Sequence, residues 1–171
     1  MITVIGIDLS LTATGIANSR DGLFTIKTAA DGDSVENRLT RIEYIADTIR
    51  GYAHDCDLAV LEGPSYGQRQ QAGEHLRAGL WWLTVAALAG PCPDIIEVPP
   101  ATLKKFATGK GNATKPDMRM ALFQRTGLDL RDDNQVDACW LRELGLRLLG
   151  EPTIILPKTH LVALDKIKIP S

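Results

Sequence analysis

At 171 residues, 44% hydrophobic and 23% charged, the chain suffices for one domain with a sizeable core and is too apolar for a disordered tail. A formal net charge of −2 excludes a globally basic nucleic-acid binder, so any such affinity must come from a local patch. No apolar run approaches the ~18 residues of a membrane span, and three cysteines without CxxC or zinc spacing read as reduced thiols. The start of the chain lacks a basic n-region, so no signal peptide is expected. The expectation is a cytoplasmic protein without a membrane partner.

Residues 2–8 are dense in β-branched side chains and predict a central strand that ends at Asp8. Residues 15–20 and 23–28 flank Asp21-Gly22, a hairpin signal. Asp33 followed by Glu36 resembles a capping box, and Val35, Leu39, Ile42, Ala46 and Ile49 then recur at helical spacing, predicting a helix over 34–51 with one buried face. Residues 57–62 read as a buried strand ending at Glu62, broken by Gly63-Pro64-Ser65-Tyr66-Gly67. A mostly apolar helix over 72–89 carries Trp81 and Trp82, which suit a core or a dimer surface. A strand over 94–98 is stopped by Pro99-Pro100, and 102–107 predicts a helical turn. The loop 108–114 leads to helices over 116–126 and 133–149. Residues 151–171, with three prolines, read as an extended arm packed on the domain formed by 1–150.

This order places an antiparallel hairpin before parallel βαβ units. The predicted fold class is α/β, a mixed sheet flanked by helices on both faces. Ligands collect at the carboxyl ends of the strands in such sheets, and Asp8 and Glu62 both lie there. A charge that ends a buried strand is costly unless something satisfies it. Asp137 opens an apolar helical pattern, and Asp133 and Asn134, four and three residues earlier, share its face. Acids so placed suggest a shared divalent-metal site. Phosphodiester hydrolysis needs an activated water and charge neutralisation at the leaving oxygen, which two ions about 4 Å apart supply. The competing role for Asp132 and Asp133 is N-capping, and it is the stronger one for that pair taken alone.

Lys104, Lys105, Lys110 and Lys115 surround a Gly-rich loop with Asn112 and no acid between them. Glycines let backbone amides approach phosphates, and lysines displace counterions. A P-loop is excluded because Gly111 follows Lys110 where Ser or Thr is required, so no nucleotide cofactor is expected. Tyr66 and Arg69 follow Glu62 on a loop near the proposed site. His54, His75 and His160 have no ligand spacing and read as surface or packing histidines.

Four segments together resemble the RuvC family of Holliday-junction resolvases. The stretch Gly6-Ile7-Asp8-Leu9-Ser10-Leu11-Thr12-Ala13-Thr14-Gly15-Ile16-Ala17 looks like its opening, and Leu61-Glu62 matches its second acid. Val98-Pro99-Pro100 through Phe106, with Thr108-Gly109-Lys110-Gly111-Asn112-Ala113-Thr114-Lys115, resembles its Pro-Pro and lysine segment, and Asn134-Gln135-Val136-Asp137-Ala138 falls where its closing acidic helix begins. The resemblance covers residues 1–150. It implies a ribonuclease-H-like fold, a homodimer, and paired nicks across four-way DNA junctions. The cofactor it implies is Mg²⁺, two ions per active site, with Mn²⁺ able to substitute. Asp8, Glu62 and Asp137 would be metal ligands, and Tyr66 resembles an aromatic wedge that stacks on junction bases.

Two departures stand out. Asn134 occupies the position of a fourth ligand that is usually Asp or His, so Asp133 is the alternative donor, and the arm after Leu149 has no counterpart role. The competing functions are a broader branched-DNA or RNA–DNA hybrid nuclease and a non-catalytic junction-binding protein. An actin-like kinase, which shares the Gly-Ile-Asp strand, needs two lobes where 171 residues hold one. A bacterial cell or a phage-infected cell would suit such an enzyme.

Overall fold

The computed structural model describes residues 2–64 and 73–167. Strand β1 (Val4–Asp8) is buried on both faces except at its last residue, as its run of β-branched side chains requires. It lies at the centre of a five-stranded sheet of order β3-β2-β1-β4-β5. Strands β2 (Ala13–Asn18) and β3 (Gly22–Lys27) form the antiparallel hairpin, closed over residues 19–21 with Gly22 at φ 104°. Strand β4 (Leu58–Glu62) runs parallel to β1, and β5 (Asp94–Val98) parallel to β4. The predicted ribonuclease-H-like mixed sheet is therefore present, with a buried core on each face.

Helix α1 (Val35–Tyr52) starts one residue later than expected and is capped by Ser34, whose side chain accepts from the Asn37 amide. Asp33 is not the cap. Val35 and Leu39 are 68% and 47% exposed, because the first two turns run past the layers that bury Ile42, Ile45, Ala46 and Ile49. Helix α2 (Glu74–Leu88) packs on α1. Helix α3 (Pro100–Thr108) is longer than the predicted turn. Pro100 sits in its first turn, where the missing N–H costs nothing, so the Pro-Pro pair ends the strand and starts the helix.

Helix α4 (Lys115–Thr126) opens with a reciprocal capping box between Thr114 and Asp117. Helix α5 (Asp133–Leu148) crosses the opposite face of the sheet from α1 and α2, against β1, β2 and β4. The tail is not an extended arm. It forms α6 (Lys158–Leu161) and a 3₁₀ turn (Val162–Lys166), and buries Ile154, Leu156, His160 and Ala163.

The period-two alternation of the strands decides which face each acid takes. Val4 and Val60 lie in the core with α5, whereas Ile5, Ile7, Ala59 and Leu61 lie in the core with α1 and α2. Asp8 and Glu62 fall on the α5 side by the same count. Ile7 pairs with Leu61, so the two acids end neighbouring strands one residue further on.

Candidate active site

Asp137 reaches Asp8 because two positions beneath α5 have no side chain. A Cβ on Gly6 would collide with the Ala138 carbonyl and the Arg142 amide, and one on Gly15 with the Asn134 backbone. Gly15 pairs with Asp8 across the sheet, so the first turn of α5 lies directly over the strand end. Val136, Trp140 and Leu144 are buried and hold the helix there.

Asp8, Glu62 and Asp137 then share one electrostatic environment. Burial pushes the Asp8 carboxyl well above the usual range, and the charges of Glu62 and Asp137 push it further. Burial, followed by the charge of Asp137, raises Glu62 to about 7, while Lys104, Lys115 and a side-chain hydrogen bond with Asp8 oppose the rise. Burial and the charge of Asp133 raise Asp137 to about 6 against the pull of Lys115 and Lys104. Each acid stays half-buried, open to water from the strand ends. Among the described residues no group of three His, Cys, Asp or Glu side chains is positioned to hold a metal ion. What the three acids provide is a set of hard oxygen donors at mutual repulsion, the chemistry that suits Mg²⁺ or Mn²⁺.

The raised values fix a sign. A carboxyl whose folded-state pKa exceeds its unfolded value stabilises the fold below the unfolded value, near pH 4, and that contribution disappears as pH rises through about 6 to 7. In chelator, the melting temperature should therefore fall between pH 5 and 8, by about a few degrees because the open side screens the charges. Millimolar Mg²⁺ should recover most of that fall at pH 8. The carboxyls of Asp117, Glu36 and Asp132 are held below their ordinary range and titrate under this window. A flat profile by calorimetry between pH 5 and 8 would contradict this coupling.

The residues around Asp137 divide into distinct roles. Asp132 is the N-cap of α5. Its carboxylate accepts from the Asn134 backbone and side-chain amides, both at 3.0 Å, and from the Thr25 hydroxyl at 2.7 Å. Asp133 is held by Arg119, whose Nη2 donates to Oδ1 at 2.6 Å, and lies 3.8 Å from Lys115 Nζ. Asn134, with its amide N–H donating to Asp132, has its oxygen as the end suited to coordination.

Among the sequence-predicted contacts, Lys104 and Lys115 lie within electrostatic reach of the acids. Lys105 is half-buried on α3, and Lys110 and Asn112 are exposed on the loop that follows. Tyr66 and Arg69 lie outside the described residues. Arg119 was not anticipated. The available signal was its position four residues after Lys115, which puts both cations on one face of α4. Trp81 was read only as core or dimer surface, yet its indole N–H donates to the Glu62 carbonyl at 3.2 Å and braces the end of β4.

No family model matches the sequence, and none of the curated proteins matches it. Among solved structures, the fold is similar to that of RuvC from Thermus thermophilus, with TM-score 0.63, 16% identity, and coverage of 90% of this chain and 100% of that one. It is also similar to T. thermophilus RuvC in complex with Holliday junction substrate, with TM-score 0.67, 17% identity, and coverage of 91% and 100%. The RuvC-like fold expected from the four sequence segments is thereby established.

Proposed function

We propose that this chain is a metal-dependent endonuclease that nicks branched DNA, with four-way junctions as its preferred substrate. One observation carries the reading. Asp8, Glu62 and Asp137 arrive from two strands and a helix at one sheet end, with Lys104 and Lys115 beside them. The likeness to a fold solved with a junction substrate supports the choice of DNA.

Asp8, Glu62 and Asp137 would hold the metal, two Mg²⁺ ions per site with Mn²⁺ as a substitute. When bound, such ions neutralise charge on a phosphate and lower the pKa of water. Because Asp133 is engaged by Arg119, the uncharged oxygen of Asn134 would be the fourth donor, and it would hold an ion more weakly than a carboxylate. Lys104 and Lys115 meet the phosphates nearest the acids. Lys105, Lys110 and Asn112 extend the basic surface, with Arg69 and Tyr66 contributing from the segment after Glu62. Paired nicks need two sites, so a homodimer is part of the proposal, and exposed Trp82, Leu39 and Val35 offer an apolar surface for it.

Incubating a mobile four-way junction, a fork, an RNA–DNA hybrid and a matched duplex with and without Mg²⁺ tests this reading. Symmetric Mg²⁺-dependent nicks on the junction are the expected result. Equal cutting of all branched substrates would replace the resolvase with a broader debranching nuclease, and hybrid cleavage would point to a ribonuclease. Asn134 gives substance to a second reading, a junction-binding protein without catalysis. Tight junction binding with no cutting at any Mg²⁺ or Mn²⁺ concentration would favour it.

A further inference from the structure

The stretch after α5 has no part in the site described above, yet it is built into the domain at three levels. Glu143 is fully buried on α5 and accepts from the backbone amides of Thr153 at 3.0 Å and Ile154 at 2.9 Å, and from the Thr153 hydroxyl at 2.5 Å. Ile154, Leu156 and Ala163 then enter the core shared with α3, α4 and α5. Beyond them, α6 and the 3₁₀ turn pack on α3, the helix that carries Lys104 and Lys105.

The decisive contact is His160. Its ring is buried, and Nδ1 lies 2.9 Å from the carbonyl oxygen of Phe106. A carbonyl only accepts, so Nδ1 carries the proton, and the ring satisfies one of the carbonyls that α3 leaves unpaired at its C-terminus. The neighbouring Lys105 carbonyl is taken by the Gly109 amide at 2.8 Å. Gly109 adopts φ 82°, and His160 Nε2 lies 3.0 Å from where a Cβ on it would stand. One imidazole therefore fixes both the last turn of α3 and the residue at which the chain turns into the lysine loop. From there the loop is stitched internally. The Lys110 amide donates to the Thr108 hydroxyl at 3.1 Å, the Ala113 amide to the Lys110 carbonyl at 3.2 Å, and buried Ala113 leads into the Thr114 cap.

We infer that residues 151–167 are the strut that sets the lysine segment over the site, and that His160 is the positioning residue for its DNA contacts. The inference rests on the nuclease reading for what the lysines touch, and on geometry alone for what holds them. A loop held at both ends presents Lys104, Lys105, Lys110 and Lys115 at fixed spacing. A loop released at Gly109 loses that spacing and pays ordering entropy again on binding.

The test uses the full chain with His160→Ala and His160→Asn, whose side-chain amide places an N–H at the position of Nδ1 toward the Phe106 carbonyl. Four readouts are taken: fluorescence anisotropy with a labelled four-way junction, its salt dependence, amide hydrogen exchange over residues 104–113, and the Mg²⁺-induced rise in melting temperature. His160→Ala should weaken junction binding about tenfold and shrink the log–log salt slope by about 1 to 2, as one or two phosphate contacts are lost. Exchange at Gly109 and Lys110 should accelerate while the Mg²⁺-induced rise is unchanged, and His160→Asn should recover most of the affinity. Wild-type affinity and salt slope in His160→Ala would overturn the inference, as would unchanged exchange at Gly109 and Lys110. Should His160→Ala not fold, the Asn variant and the native protein decide. Rapid exchange at Gly109 in the native chain, as fast as in an open loop, would refute the strut. A native protein that binds no DNA refutes the nuclease reading instead, and leaves the exchange data to judge the strut.

Discussion

Asp8→Asn is expected to abolish junction cleavage, with a loss of at least about 10³-fold, while junction binding stays within about twofold of native. After burial, the charges of Glu62 and Asp137 are the ones that act most strongly on Asp8. Losing its charge therefore weakens the hold on any cation at the site, and ~4 kcal/mol of lost charge stabilisation corresponds to about 10³ in rate. The same substitution should make the metal-free protein more stable at pH 8. It removes one of three mutually repelling, half-buried carboxylates. A gain of about 1 kcal/mol, read as a rise of about 2–4 °C, is the expected size. Opposite signs for activity and stability distinguish a functional acid from a structural cap. Cleavage within tenfold of native in a clean preparation would remove Asp8 from the site. A fall in melting temperature would mean that its charge has a structural partner.

Gly15→Ala carries the next largest effect, and it acts without removing any charge. The added methyl meets the Asn134 backbone, so α5 must lift from the hairpin and take Asp137 with it. Overpacking of this kind costs about 1–3 kcal/mol or more where the obstacle is backbone rather than a flexible side chain. A fall of about 5–10 °C in melting temperature is expected. Cleavage should drop about 10²-fold even below the melting transition, because a shift of about 1 Å in a site residue is enough. Gly51→Ala supplies the control. Gly51 lies within α1 with nothing near its missing Cβ, so the same chemical change there should leave activity intact and stabilise the helix by about 0.5–1 kcal/mol. Equal effects from the two substitutions would mean that α5 is not seated on Gly15.

Much of the fold could be read from local pattern. The β-branched run ending at Asp8, the hairpin at Asp21-Gly22 and the 94–98 strand are near-neighbour signals; the structure has all three, with the hairpin turn shifted to residues 19–21 and Gly22 paired in β3. Helix starts were harder, because a cap depends on which side chain turns back on the first amides. Asp33 and Ser34 are both competent, and only the backbone path selects Ser34. The tail packs on the domain as expected, but its helical turns are not legible from local pattern. Its short helical pieces have too few residues to be stable on propensity alone and are held by Glu143 and the core.

The candidate site divides along the same line. Sequence by itself determined which acids exist, that two of them end strands, and that lysines cluster around a glycine-rich loop. Only the tertiary structure decided that α5 lies close enough for Asp137 to join them, because that approach depends on two glycines in separate strands meeting one helix backbone. It also decided that Asp133 belongs to Arg119 rather than to the acids, and that His160, an unremarkable histidine by spacing, holds the end of α3. Local sequence records how each segment pairs and buries itself. Which charge neutralises which is a property of distances between segments, and those exist only once the chain has packed.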